Sequence, residues 1–313
     1  MAIKKKSIFR AERGSLIFYS LMMIWPILQF CVFYIGVNFN SVLLAFKEID
    51  PLDYSKYTYT FDNFTNWFKG NSWLELKNSL GVSLKVYVIS LAIGVPLGLF
   101  FSYYIYKKMP LATFYRVMLF LPSILSSVVL ARLYQYFTDW ALPELLAPLH
   151  IEYGTKDVPT LFATNSEYKF VAVMAFNIFV SFGTTVLMYS NKMSTISPEI
   201  IESAHLDGAG ALTEFFYVVL PLSFSTISVF LVTGVAGIFT NQINNYALFS
   251  YDAPTEVVTV GYLIYNKTRH AASINRMPDF PFVAALAVML TLVAVPLTYG
   301  VRFLLNKFGP KED

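Results

Sequence analysis

A single cysteine, Cys31, excludes an intramolecular disulfide. Its place inside an apolar run reads as a buried, inert thiol. Histidine is scarce too, with three in the chain: His150 and His270 fall in loops and His205 in a polar stretch treated below. None stands beside a plausible nucleophile. No segment has the glycine–lysine pattern of a phosphate-binding loop, and no group of His, Cys and acids has metal-ligand spacing. No catalysis, metal or cofactor is therefore expected of this chain. Charged residues make up only 14% of it, against ~25% in a soluble domain. The formal net charge of +3 says little about partners, and none of nucleic-acid type is expected.

What is present is apolar: 56% hydrophobic residues and a mean hydropathy of +0.54. The runs are long enough for helices of about 20 residues, which cross roughly 30 Å of hydrocarbon. The expectation is an all-α integral membrane protein in contact with lipid. Residues 1–14 carry Lys4, Lys5, Lys6, Arg10 and Arg13 and, by the positive-inside rule, read as a cytoplasmic N-terminus. The apolar run from 15 to 46 is too long for a signal peptide and reads as a first span.

A polar loop with aromatics, 47–77, precedes a second span at 78–106, where Lys85 is expected to snorkel and Gly94, Pro96 and Gly98 permit close packing and a kink. A third span is expected at 114–137, with Pro122 inside it and Arg132 either snorkelling or paired with Asp139. A fourth is expected at 168–189, with Asn177, Ser181, Thr184 and Thr185 along one side. The fifth, 222–249, contains Asn241, Gln242, Asn244 and Asn245 with Tyr246 next. Amides inside a span are expensive unless they face partners or a cavity, so these five are candidates for a substrate path or for helix–helix hydrogen bonds. A loop at 250–279 leads to a sixth span at 280–305, and 306–313 forms a cytoplasmic tail.

Between the fourth and fifth spans lies a polar interruption, 196–221. Ser197, Pro198 and Glu199 form a helix start: a hydroxyl cap, a proline whose missing N–H costs nothing there, and an acid facing the helix dipole. Residues 199–206 make two turns, which Asp207-Gly208 breaks. A second helix follows, with Leu212, Phe215, Phe216, Val219 and Leu220 at helical spacing.

Glu202-Ser203-Ala204, Asp207-Gly208-Ala209, Val218 and Leu220-Pro221 together resemble the EAA loop of permease subunits of binding-protein-dependent ABC importers. That pattern is Glu-Ala-Ala, then Gly, then an aliphatic before Leu-Pro. Ser203 is the one departure, small for small. The spans, the phrase Thr60–Phe64 and the segment Gly261–Asn266 resemble the carbohydrate-uptake branch, relatives of maltose and glycerol-phosphate permeases.

The resemblance implies a type I ABC importer permease fold of six transmembrane helices, both termini cytoplasmic, in a prokaryotic cytoplasmic membrane. It implies transport of a sugar or oligosaccharide delivered by an extracytoplasmic sugar-binding protein. It also implies a second permease subunit and separate cytoplasmic ATP-binding subunits, which hold the ATP and magnesium. Glu202, Ser203, Ala204, Asp207, Gly208 and Ala209 would be the coupling residues: Glu202 meeting a basic group on the ATPase, Gly208 making the turn, Asp207 capping the second helix.

Asp252-Ala253-Pro254 and Pro278-Asp279-Phe280-Pro281 depart from the family on the outer side and leave the substrate open. A permease for phosphate, an amino acid or a peptide is one alternative. An ion-gradient-driven secondary transporter is another, although no buried acid in the second to sixth spans and no internal repeat supports it.

Overall fold

The computed structural model describes residues 13–49, 56–155, 158–163, 166–273 and 279–310. Lys4, Lys5, Lys6, Arg10, Pro278 and Lys311 lie outside the described residues. The chain forms two compact units, Met1–Asn66 with Asp279–Val288, and Trp67–Pro278 with Met289–Asp313.

In the first unit a long apolar helix, Ile17–Leu44, leads into a small antiparallel pair in which Lys47 opposes Tyr59 and Ile49 opposes Tyr57. Asn63 closes this corner. Its buried amide donates to the carbonyls of Ala45 (3.1 Å) and Lys47 (2.8 Å). None of this helix's apolar window is covered by the rest of the chain, so Cys31 is exposed, not buried.

In the second unit the Gly70–Tyr106 helix starts eight residues before the expected second span. Lys85 is therefore in mid-helix, on its exposed face, rather than near an end. A π-helical turn at Ser90–Gly94 precedes Pro96. Gly98 then allows close approach to the Lys169–Met193 helix, where a Cβ would stand 3.2 Å from Thr185. Ser102 donates to the Val186 carbonyl (3.0 Å) across the same contact. Gly183 brings Lys169–Met193 onto the backbone of Leu119.

The expected third span is not continuous. It is two helices, Ala112–Ile124 and Ser127–Leu149, bent by 105°. Leu125 is extended, and the backbone carbonyl of Ser126 opens the next helix by accepting the Leu130 N–H (3.0 Å). Arg132 donates to Gln135 (3.1 Å).

The expected fifth span also changes character. The helix Phe224–Thr240 ends at Asn241, whose backbone is extended, and a separate short helix covers Asn245–Phe249. The loop expected at 250–279 contains a helix, Val260–Ser273. The last helix is Phe280–Phe308. Among the described residues, four helices are long and apolar enough to cross a membrane, or up to six if each of two bent pairs is one span.

Candidate functional site

The polar interruption folds as a helical hairpin. Its first limb is Pro198–Leu206, with Ser197 at the N-cap position and Glu199 in the first turn. Gly208 takes φ +86°, with nothing within 4 Å of where a Cβ would stand. The turn is closed by the Ala209 N–H on the Ala204 carbonyl (2.9 Å) and the Gly208 N–H on the His205 carbonyl (3.0 Å). A left-handed residue closing onto the preceding turn is what glycine supplies at a helix C-terminus.

The second limb, Ala211–Leu222, contains a π-helical turn at Phe215–Val219 and is bent by 66° from Phe224–Thr240. Pro221, which has no N–H to donate, lies just before the bend. The N-cap of this limb is Gly210, so Asp207 ends the first helix and does not cap the second.

The apolar face of the hairpin is narrower than expected. Ile201, Phe215 and Val219 join a buried cluster with Leu99, Tyr189, Met193 and Ile227. Leu212 and Phe216, expected on that face, are exposed. Glu202, Ser203, Asp207 and Gly208 are exposed, and Ala204 and Ala209 half-buried. On the same hairpin Leu206, Leu212 and Tyr217 are 89%, 69% and 80% exposed. The hairpin thus turns its buried side to the helices and presents small, acidic and apolar side chains outward.

Sequence reasoning missed the residue that fixes this arrangement. Glu214 is fully buried. Lys107 Nζ donates to both of its carboxylate oxygens (3.0 Å each), and His205 Nε2 lies 2.6 Å from Oε2. Burial pushes the Glu214 carboxyl up, but the hydrogen bonds from Lys107 and His205 outweigh this and hold it below the ordinary value. An acid in a polar stretch gives no local sign of such burial, and Lys107 is far away in the chain.

The structure splits the amide group. Asn241 Oδ1 accepts the Ile243 N–H (2.8 Å). Ile243 and Asn244 are left-handed, so Asn241, Asn244 and Asn245 do not share a helix face. Asn244 donates to Asn177 Oδ1 (3.2 Å). Asn245 is fully buried and donates to the Val257 carbonyl (2.7 Å). Gln242 is half-buried. The Tyr246 ring contacts those of Tyr251 (5.4 Å) and Tyr265 (5.1 Å).

Two adjoining cavities share Tyr87, Ser90, Phe230 and Gly234 as walls. One, of about 330 Å³, reaches Ser83, Asn241 and Thr259. The other, of about 160 Å³, reaches Asn177, Ser181 and Thr185. They form one groove lined by hydroxyls, amides and rings, with no charged side chain in either lining. The groove runs between Gly70–Tyr106, Lys169–Met193 and Phe224–Thr240. Of the five residues proposed for a path, it takes in Asn241, and Asn244 through Asn177.

Residues 94–310 match the family profile described as "Binding-protein-dependent transport system inner membrane component". The chain belongs to this family. It is an ABC transporter permease and a membrane protein. This permease is 21% identical over 245 residues to the multiple sugar-binding transport system permease protein MsmF of Streptococcus mutans, covering 78% of this chain and 82% of that one. It is 22% identical over 274 residues to the sn-glycerol-3-phosphate transport system permease protein UgpA of Escherichia coli, covering 85% and 86%. Its fold is similar to that of a chain in the crystal structure of a bacterial ABC transporter involved in the import of the acidic polysaccharide alginate. The TM-score is 0.77, with 19% identity, over 94% of this chain and 96% of that one.

Proposed function

We propose that this permease is the transmembrane subunit of an ATP-driven importer for a sugar or oligosaccharide. Substrate reaches it from an extracytoplasmic binding protein and passes along the groove beside Tyr87, Ser90 and Asn177. Residues 15–305 form the membrane domain with six spans, the fifth opening at Phe224 after the hairpin. Both termini, with residues 1–14 and 306–313, are cytoplasmic. A second permease subunit completes the pathway. The ATP and magnesium belong to separate ATPase subunits, and this chain holds neither.

The observation that carries the reading is the 198–222 hairpin, turned at Gly208 and buried along one side. It displays Glu202 along with exposed Leu206, Leu212 and Tyr217. Apolar side chains exposed together mark a protein–protein contact. Glu202 would meet a basic group of the ATPase there, with Ser203, Ala204 and Ala209 small enough for close approach. The uncharged groove supports a neutral polar solute over phosphate or an amino acid. The sugar named for MsmF and the polysaccharide named for the alginate importer support a sugar or oligosaccharide; its neutrality rests on the groove lining alone.

The test is uptake into proteoliposomes holding this chain, its partner permease and the ATPase. Using a mixture of radiolabelled maltodextrins and raffinose, uptake is expected only with internal ATP and external binding protein. Uptake driven by a proton or sodium gradient, by this chain alone and without ATP, would overturn the reading.

A further inference from the structure

The buried acid of the hairpin has a place in the transport cycle that an exposed coupling residue cannot fill. Lys107 sits directly after the last turn of the Gly70–Tyr106 helix, and the same helix carries Ser83, Tyr87 and Ser90 in the groove. Twenty residues of helix separate Lys107 from Tyr87, about 30 Å at ~1.5 Å per residue.

The joint between hairpin and helix has several parts. Lys107 holds both oxygens of Glu214 (3.0 Å). His205, on the first limb, reaches the same carboxylate (2.6 Å). The Tyr103 hydroxyl donates to the Ala211 carbonyl (3.0 Å), and Phe100 stacks on Phe215 with centroids 5.0 Å apart. Glu214 therefore ties together both limbs of the hairpin and the end of the groove helix. A fully buried carboxylate is held in place only while those partners are present, since an unpaired charge there would be strongly destabilising.

We propose that Glu214 is a positioning residue that locks the hairpin to the Gly70–Tyr106 helix through Lys107 and His205, so that a displacement of the hairpin is delivered to the groove. The proposal rests on the reading that the hairpin receives the ATPase. It adds that the lock, and not the hairpin's surface alone, transmits the motion. Loss of a lock partner leaves the docking surface intact and frees the hairpin to move without the helix.

The experiment is electron-spin distance measurement on the complete transporter in Cys31→Ser background. Labels stand at Ile200, on the first limb, and at Val88, both exposed. In the wild type one narrow distance is expected without nucleotide and with ATP plus vanadate. In Lys107→Met and His205→Leu the single distance should be lost on ATP binding. The ATPase should still copurify, while the melting temperature should fall, because Glu214 is left buried short of a partner. His205→Gln, whose amide can still donate to Glu214, should restore the single distance.

Glu214→Gln is expected to act like Lys107→Met. If it fails to fold, the other two variants, at side chains 28% and 49% exposed, decide the matter. An unchanged single distance in Lys107→Met and His205→Leu would overturn the lock while leaving the transport reading untouched. Failure of the ATPase to copurify with the wild type would overturn the transport reading instead.

Discussion

Gly208 offers a series in which conformation and contact separate. Its φ of +86° lies in the left-handed region, yet a Cβ there would meet nothing within 4 Å. Replacement by alanine therefore adds no clash and introduces only the backbone penalty, about 1–2 kcal/mol for an ordinary residue. That is a factor of about 5–30 in the population of the closed turn. Asparagine tolerates this conformation several-fold better than most residues, so Gly208→Asn should lie close to the wild type. Proline fixes φ at about −65° and has no N–H. It would both forbid the turn and remove the bond to the His205 carbonyl. The order expected is Gly, Asn, Ala, Pro.

Hydrogen exchange of the peptide covering 205–210 in the assembled complex reads the turn directly. The amides of Asp207, Gly208 and Ala209 are hydrogen-bonded, and in Gly208→Ala those of positions 208 and 209 should exchange about 5–30-fold faster. Gly208→Ala exchanging like the wild type would refute the argument from φ. Gly208→Asn and Gly208→Ala equally damaging to ATPase binding would show that the partner's surface, not the turn, requires glycine.

Further outcomes follow from the packing. Gly183→Ala would place a Cβ 1.9 Å from the Leu119 carbonyl oxygen, and overpacking against backbone should cost about 1–3 kcal/mol, seen as a lowered melting temperature. Gly94→Ala, with nothing within 4 Å, should melt as the wild type does. Asn245→Ala removes the donor to the buried Val257 carbonyl and should lower stability by about 1–3 kcal/mol. Its uptake KM should be unchanged, because Asn245 is not a groove wall. Tyr87→Phe, which keeps the ring and removes a hydroxyl at the groove, should raise KM with little change in melting temperature.

The hairpin was the most legible part of the chain. Ser197-Pro198-Glu199 and Gly208 are local signals whose physics is complete within a few residues. The long helices were legible as apolar runs, but their breaks were not. The run continues through Leu125 and Ser126, so hydropathy does not register the 105° bend. By hydropathy the amides at 241–245 read as polar residues within a span, because Ala247, Leu248 and Phe249 prolong the apolar run. Their left-handed backbone at Ile243 and Asn244 makes them its end. A cluster of asparagines, tolerant of that conformation, was a signal of termination that hydropathy outweighed. The buried Glu214 had no signal at all, because its partner Lys107 belongs to another helix and only the tertiary fold brings them together.

The central claim is that the hairpin couples this chain to an ATPase, and copurification tests it most directly. Tagged wild-type chain, extracted gently with its neighbouring gene products, should bring an ATPase with it. Glu202→Ala and Gly208→Pro should lose that association or the hydrolysis it supports. A chain that purifies alone, or variants indistinguishable from the wild type, would contradict the account.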